Sequence, residues 1–208
     1  MKVKVCGITS YDDAALALDQ GVDALGFNFY PRSLRYINPA QARSIIGRLP
    51  PFAVTVGLFV NEQHPRAVSE TARGAAVQVL QFHGDESPDY CRYFASWPLI
   101  KALRLDRASV GAELGEYPVQ AFLLDSRDDA LYGGTGQTFD WSLAESVKGI
   151  RPIVLAGGLR PENVAEAIRT VQPYGVDVCS GVESAPGKKD AGKLIAFMDE
   201  VRNASKSQ

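Results

Sequence analysis

The sequence predicts a single-domain (β/α)8 barrel (TIM barrel). Two observations support this fold: short apolar segments alternate with helical segments from end to end, and eight such units fit within 208 residues. Strands that alternate with helices pair in parallel through right-handed crossovers. Eight units favour a closed barrel over an open, doubly wound sheet. Because no Ser/Gly-rich linker divides the chain, one domain over residues 1–208 is expected, with a flexible tail at about 203–208.

Eight segments have the apolar composition and the short length of barrel strands. The first is rich in valine and ends before Gly7, whereas the others end in polar or glycine-containing turns. The predicted strands, in chain order, are Lys2–Cys6, Asp23–Phe29, Ala53–Val60, Val77–Phe82, Leu99–Leu103, Ala121–Leu124, Pro152–Leu155 and Val176–Cys179.

Helix start and stop signals separate these strands. Pro39 stands at the favoured first position of a helix, and Gly21 and Gly74 are expected helix stops. Three side chains that cap helix N-termini precede predicted helices: Ser10, Asn38 and Ser87. The predicted helices are Asp12–Gln20, one from Pro39, His64–Arg73, Pro88 to about Phe94, a weak one near Ser109–Gly115, Trp141–Val147, Pro161 to about Val171, and Asp190–Arg202.

Composition excludes several classes of function. The net charge is −2 and 46% of residues are hydrophobic, so neither a nucleic-acid surface nor a membrane surface is indicated. No apolar run approaches the ~18 residues of a membrane span, and the N-terminal segment lacks a secretory apolar core. The three cysteines have no metal-binding spacing. Reduced thiols in a cytoplasmic protein are therefore expected.

Chemistry in such a barrel is located at the carboxyl ends of the strands. Cys6 ends the first predicted strand and Asp125 follows the sixth. Glycine-rich turns follow the last three strands, where backbone N–H groups can bind a phosphate. The residues of these turns are Gly133, Gly134, Thr135 and Gly136, then Gly157 and Gly158, and finally Ser180 and Gly181. This arrangement indicates chemistry on a phosphorylated small molecule.

Cys6 and Asp125 are the candidate proton-transfer groups. A thiol with a pKa near ~8.5 is partly ionised at neutral pH, so Cys6 is a plausible proton acceptor, although it fits a small buried apolar residue as well. Asp125 as an acid needs a raised pKa, which burial against Phe122 and Leu124 would supply. The other interpretation of Asp125 is a helix cap or a partner of Arg127.

Further candidates lie at neighbouring strand ends. Arg35 can hold a carboxylate through two hydrogen bonds, or it can be a solvated surface arginine. Gln81 and His83 end the fourth strand, and His83 is either a site residue or a loop residue bonded to backbone. The two remaining cysteines, Cys91 and Cys179, are predicted to be small buried apolar residues.

Taken together, these residues resemble the phosphoribosylanthranilate isomerase family of tryptophan biosynthesis. The resemblance spans nearly the whole chain. It rests on KVCGIT at Lys4–Thr9, GFNFYPRSLRYI at Gly26–Ile37, VGLFVN at Val56–Asn61, LQFHGDE at Leu80–Glu86, FLLDS, GGTGQTFDW, LAGGLRPENV at Leu155–Val164 and DVCSGVESAPGKKD at Asp177–Asp190.

The resemblance implies an Amadori rearrangement of N-(5-phosphoribosyl)anthranilate to 1-(2-carboxyphenylamino)-1-deoxyribulose 5-phosphate. It implies Asp125 as the general acid, Cys6 as the general base and Arg35 as the ligand of the anthranilate carboxylate. Neither a metal nor an organic cofactor is expected, and a monomer is favoured over a homodimer. The implied phosphate-binding residues are Gly134, Thr135, Gly136, Gly157, Gly158, Ser180 and Gly181, and Gln81 and His83 are expected substrate contacts.

Three other functions stay open at this point. The first is a related sugar isomerase that acts on the histidine-pathway ribonucleotide, or on both substrates. That enzyme type carries an aspartate at the end of its first strand, so Cys6 argues against it. A non-catalytic phosphate-binding barrel would keep the glycine turns but would need neither Cys6 nor Asp125. A carbon–carbon lyase or synthase requires a well-placed lysine, and Lys101 lies within the fifth predicted strand. The chain also has Leu34 where the family often has proline, which puts the position of Arg35 in question.

Overall fold

The structure, a computed structural model, describes residues 1–104, 112–125, 144 and 147–206. Within these ranges, eight parallel strands close into a barrel in which every strand pairs with its neighbours in sequence and the last pairs with the first. The predicted (β/α)8 barrel is thus confirmed. The strands are β1 Lys2–Val5, β2 Ala24–Asn28, β3 Val54–Phe59, β4 Val79–Phe82, β5 Leu99–Arg104, β6 Ala121–Asp125, β7 Ile153–Ala156 and β8 Gly175–Val178.

Helices alternate with these strands, and their starts follow the capping signals. The Ser10 hydroxyl accepts a hydrogen bond from the Asp13 N–H at 3.1 Å, and the Asn38 and Ser87 side chains make the same kind of bond. These contacts satisfy N–H groups that have no partner within the helix. The helices are α1 Tyr11–Asp19, α2 Pro39–Ile46, α3 Pro65–Ala75, α4 Pro88–Arg92, α5 Val164–Val171 and α6 Ala191–Lys206.

Most element boundaries differ from the sequence prediction by one or two residues, and three of the differences bear on packing or on the site. Gly74 does not stop α3, because the helix continues through the buried Ala75 and ends where Ala76 adopts a left-handed φ of 63°. Residues 203–206, predicted to belong to a flexible tail, are helical, since α6 runs to Lys206 and Ala204 packs into the core. Strand β8 ends at Val178, so Cys179 lies just beyond it.

Two predicted helices lie partly or wholly outside the described residues. The helix predicted near Ser109–Gly115 is represented there only by a short 3-10 helix, Ala112–Glu116. The helix predicted at Trp141–Val147 lies outside the described residues, apart from positions 144 and 147. None of the helices that the structure describes is long and apolar enough to cross a membrane.

Side chains along each strand alternate between the apolar layer under the helices and the interior of the barrel. Val3 and Val5 of β1 join the large apolar cluster between barrel and helices, together with the α6 residues Leu194 and Phe197. The residues between them therefore face the barrel interior, because successive strand side chains point to opposite faces. A separate interior apolar layer consists of Ala102, Leu123 and Ala156.

A short antiparallel hairpin follows β8 and was not predicted. It pairs β9, Glu183–Ala185, with β10, Lys188–Lys189. A 3-10 helix, Ser180–Val182, connects it to the barrel. The hairpin brings charged side chains to the carboxyl end of the barrel, where the predicted site residues lie.

Candidate active site

The barrel mouth gathers the predicted acid and base on one interior surface. Asp125 ends β6 two residues after Leu123, which belongs to the interior apolar layer. Cys6 follows β1 two residues after Lys4, and both alternate with the outward-facing Val5. Because side chains two residues apart share a face, Cys6 and Asp125 both face the interior at the carboxyl end.

A buried ion pair lies beneath Cys6. Strands β1 and β8 place Lys4 opposite Asp177, and Lys4 Nζ donates to Asp177 Oδ1 at 2.9 Å. Their side chains are only 5% and 8% exposed. Burial raises the pKa of Asp177 to about 7, although the Lys4 ammonium acts in the opposite direction. The pair thus places a positive charge one step below the Cys6 sulfur.

Cys6 is itself buried, within a cluster of groups that favour its ionised form. A Cβ on Gly26 would lie 2.9 Å from Cys6 Sγ and 3.2 Å from Lys4 Cε, so glycine leaves the space that these two side chains share. A hydrogen bond with Cys179 outweighs the effect of burial, and together with the charges of Lys4 and Lys189 it holds the pKa of the Cys6 thiol well below its usual value.

Lys189 joins the hairpin to the ends of β1 and β8. Its side chain is fully buried, and its Nζ donates to the Cys6 carbonyl at 2.6 Å and to the Cys179 carbonyl at 3.4 Å. The same ammonium pairs with Glu183 Oε1 at 3.0 Å. One cation therefore bridges the backbone of Cys6 and the backbone of Cys179.

Arg35 is held by Glu183 rather than solvated. Its Nη2 donates to Glu183 Oε2 at 2.6 Å, and its Nε lies 3.0 and 3.1 Å from the two carboxylate oxygens. The Glu183 side chain is 4% exposed and the Arg35 side chain 17%. The loop that lacks the expected proline, with Leu34 exposed, is thus anchored by this two-point ion pair.

On the other side of the mouth, a hydrogen-bonded chain leads to Asp125. His83 Nε2 lies 2.9 Å from Asp125 Oδ2, and His83 Nδ1 lies 2.9 Å from Gln81 Nε2. With the amide nitrogen of Gln81 facing Nδ1, that ring nitrogen is the acceptor, so Nε2 carries the proton and donates to Asp125. Gln81 and His83 are thus placed as neighbours of the acid, and their expected contact with substrate stays a prediction.

The turns after β7 and β8 pack directly against each other. Gly157 and Gly158 have left-handed φ values of 79° and 61°, in which consecutive N–H groups can converge on an anion. A Cβ on Gly181 would lie 1.9 Å from the Leu159 carbonyl oxygen, so only glycine fits there. The two turns, including Ser180, thus lie together. Gly134, Thr135 and Gly136 lie outside the described residues.

Several site residues were not found from the sequence. Lys4 and Asp177 each stand two residues before a cysteine, so a charged residue on the interior face of a strand was the available signal. Glu183 and Lys189 gave no signal of their own. The interpretation of Cys179 as a buried apolar residue is wrong, because it is partly exposed and contacts Cys6 and Glu183.

The chain matches known proteins over nearly its whole length. The family profile described as N-(5'phosphoribosyl)anthranilate (PRA) isomerase matches residues 3–200. The N-(5'-phosphoribosyl)anthranilate isomerase of Trichlorobacter lovleyi is 50% identical over 208 residues, which cover 100% of this chain and 99% of the relative. The enzyme of the same name from Geobacter sulfurreducens is 48% identical, covering 97% of this chain and 98% of its own.

Solved structures give the same match. The crystal structure of phosphoribosyl anthranilate isomerase from Thermotoga maritima has a TM-score of 0.90 and 42% identity, covering 98% of this chain and 99% of its own. A phosphoribosyl anthranilate isomerase in complex with reduced 1-(o-carboxyphenylamino)-1-deoxyribulose 5-phosphate has a TM-score of 0.86 and 40% identity, with the same coverage. Another similar structure contains monomers generated from the dimeric Thermotoga maritima protein, so the preference for a monomer stays a prediction.

Proposed function

The chain belongs to the N-(5'-phosphoribosyl)anthranilate isomerase family, and we propose that it isomerises this substrate in tryptophan biosynthesis with Cys6 as general base and Asp125 as general acid. The observation that carries the proposal is the placement of both groups on the interior face of the barrel mouth. His83 interacts with each of them, through the hydrogen bond to Asp125 and electrostatically with Cys6.

The reaction needs one proton donor and one proton acceptor. Asp125 gives its proton to the ring oxygen of the ribose, the bond from C1 to that oxygen breaks, and the nitrogen lone pair forms a C1 iminium. The Cys6 thiolate then removes the proton from C2, which gives an enolamine that tautomerises to the 2-ketone. Because the iminium accepts the electrons of the C2–H bond, the substrate supplies its own electron sink.

The surroundings of Cys6 and of Asp125 match their proposed roles in these reaction steps. The positive charges near Cys6 favour the thiolate, which is the form that accepts a proton. In the acid form of Asp125, Oδ2 accepts the His83 hydrogen bond while the carboxyl proton sits on the other oxygen. The hydrogen bond thus orients the carboxyl group toward the substrate.

Arg35 and the glycine turns are proposed to hold the two ends of the substrate. Glu183 occupies the Nε–Nη2 edge of the Arg35 guanidinium, and the Nη1–Nη2 edge offers a parallel pair of donors for the anthranilate carboxylate. The phosphate is assigned to the turns after β7 and β8, at Gly157, Gly158, Ser180 and Gly181, with Gly134, Thr135 and Gly136 as further predicted donors.

Loss of phosphoribosylanthranilate fluorescence on addition of the purified protein tests the activity. The Cys6→Ser and Asp125→Asn variants test the assignment, and each is expected to lower kcat at least ~100-fold while it still binds the reduced product analogue. Full activity in either variant would remove that residue from its role. No fluorescence change with the wild-type protein would contradict the function itself.

A further inference from the structure

We propose that Cys179 is a positioning residue for Cys6: its thiol donates a hydrogen bond to the Cys6 sulfur and favours the thiolate before substrate binds. This inference rests on the proposed role of Cys6 as the base. It gives Cys179 a role in the reaction, whereas the sequence pattern predicts only a small buried apolar residue at this position.

Strand register places Cys6 beside Cys179. Strands β1 and β8 pair in parallel from Lys2 with Gly175 to Val5 with Val178. The Cys6 N–H donates to the Val178 carbonyl at 2.9 Å, so the pairing continues past the end of both strands. The next pair in the same register is Cys6 and Cys179. Adjacent strands lie ~4.8 Å apart, which places these side chains next to each other.

Both sulfurs face the same side. Cys6 stands two residues after Lys4, and Cys179 stands two residues after Asp177, and the interior ion pair between these two charged residues shows that their row faces inward. Since side chains alternate along a strand, the thiols form the next interior row, directly above the ion pair.

Two glycines leave room for the sulfurs in this row. A Cβ on Gly26 would lie 2.9 Å from Cys6 Sγ, and a Cβ on Gly7 would lie 3.1 Å from Cys179 Sγ. Because Gly7 directly follows Cys6, the Cys179 sulfur extends from β8 toward the chain that continues β1, on the side where Cys6 lies.

The charges around the pair determine which thiol is the donor. The Cys179 thiol lies within a long donor distance, 3.8 Å, of Glu183 Oε1, an anion that disfavours a negative charge on Cys179. That oxygen already accepts from Lys189 and Arg35 at 3.0 Å each and from the Gly187 N–H at 3.2 Å, so it is a poor acceptor for the thiol. The Cys179 proton is therefore directed to the Cys6 sulfur.

Cys6 in turn is surrounded mainly by cations. Asp177, the anion below it, is paired with Lys4, so its effect is largely offset. The charged or titratable groups that act on Cys6 are Lys4 on β1, Asp177 and Cys179 at β8, Lys189 on β10, His83 after β4 and Arg35 in the loop after β2. The negative charge thus belongs on Cys6 and the proton on Cys179.

The ultraviolet absorbance of thiolate, followed as a function of pH in the whole protein, tests this directly. The wild-type protein is expected to form one thiolate with a midpoint well below the usual pKa of a thiol. Cys179→Ala should move that midpoint upward by at least about one pH unit, a tenfold change in the ionisation constant. Cys179→Ser, which keeps a shorter donor, should give a midpoint between the two. The acid limb of kcat/KM should move in parallel.

Cys91 supplies the matched control. It lies on α4, away from the barrel mouth, and burial raises its pKa to about 11. Cys91→Ala should therefore leave the low midpoint unchanged. An unchanged midpoint in folded Cys179→Ala and Cys179→Ser would overturn the inference. A low midpoint in a wild-type protein that lacks isomerase activity would instead overturn the proposed function and leave the hydrogen bond standing.

Discussion

The two sides of the barrel mouth support proton transfer in different ways. The seam wall, formed by β1, β8 and the β9–β10 hairpin, surrounds the Cys6 thiol with buried charges such as Lys4 and Lys189. The opposite wall, formed by β4 to β6, reaches Asp125 through a hydrogen-bonded chain of an amide and an imidazole, Gln81 and His83. In both walls the reactive group lies at the mouth, and one supporting residue, Lys4 or Gln81, lies deeper in the barrel.

The difference follows from the protonation state that each group needs before the reaction begins. A base must be ionised before it acts, and nearby cations favour an anion. An acid must keep its proton, so fixed cations would work against it, whereas a neutral donor orients the carboxyl group without removing the proton. Variants of the charged wall and of the hydrogen-bonded wall should therefore differ in stability and in pH dependence.

The pH dependence of stability should report on the seam wall first. Burial raises the pKa of Asp177 to about 7, whereas an unfolded aspartate titrates near ~3.9. Between these values the folded protein binds more protons than the unfolded chain, so this group lowers stability as pH rises, by up to about 4 kcal/mol. Urea unfolding from about pH 4 to 7 should show this decrease in the wild type and not in Asp177→Asn. Equal slopes in the two proteins would contradict the buried titration.

Ionisation of Cys6 should change the stability of the folded protein in the opposite direction as pH rises. Because its pKa is lowered in the folded protein, its contribution to stability is present near the thiol's usual pKa of ~8.5 and is lost as pH falls through the lowered value. Comparing unfolding of the wild type and Cys6→Ser from neutral to mildly alkaline pH isolates this contribution. A wild-type stability that does not rise relative to the variant would show that Cys6 is not ionised in the folded state.

Removal of the buried lysine should be the most destabilising single change on this wall. Lys4→Met leaves Asp177 buried without its 2.9 Å partner, and a loss of about 3 kcal/mol in the free energy of unfolding is expected at neutral pH. Lys2→Met on the same strand is the control, because Lys2 pairs with Asp23 at the surface and its side chain is 59% exposed. Similar losses in the two variants, measured by urea unfolding, would remove the distinction between them.

Arg35→Ala should affect binding more than chemistry. Loss of the guanidinium that is proposed to hold the anthranilate carboxylate should raise KM about 10- to 100-fold with kcat nearly unchanged. Arg32→Ala is the matched control, since Arg32 is exposed in the same loop. Steady-state kinetics with the fluorescent substrate measure both values. An unchanged KM in Arg35→Ala would contradict the proposed contact.

The smallest effect is expected on the hydrogen-bonded wall. Among the described residues, Gln81 Oε1 is buried without a hydrogen-bond partner, and only its Nε2 contacts His83. Gln81→Met loses that one hydrogen bond but also removes the unpaired oxygen, so stability should change by less than about 1 kcal/mol. A loss as large as that of Lys4→Met would mean that both walls depend equally on their deeper residues.

The fold was predictable because its signals are local. Alternating apolar segments gave the eight strands, and capping side chains such as Ser10 gave the helix starts. The errors arose where packing overrides a local signal. Gly74 remains helical because Ala75 is buried beyond it, and the chain continues as helix past Arg202 because Ala204 reaches the core.

The candidate site was predictable only in part, for a related reason. Cys6 and Asp125 were placed by the rule that chemistry lies at the strand ends. The Lys4–Asp177 pair depends on the register between the first and last strands, whose residues are 173 positions apart. Cys179 was misread because a strand boundary shifted by one residue changes a buried position into one at the mouth. Glu183 and Lys189 lie on strands too short for periodicity to reveal.

The Lys189 ammonium bonds to the carbonyl of Cys6, a residue 183 positions earlier in the chain. A ribosome adds about 5–20 residues per second, so the two partners leave it on the order of ten seconds or more apart. For most of that interval the nascent chain carries Cys6 and Lys4 but neither Cys179 nor Lys189, two of the groups that favour the Cys6 thiolate. The full set of these groups is assembled only when β8 and the β9–β10 hairpin join β1.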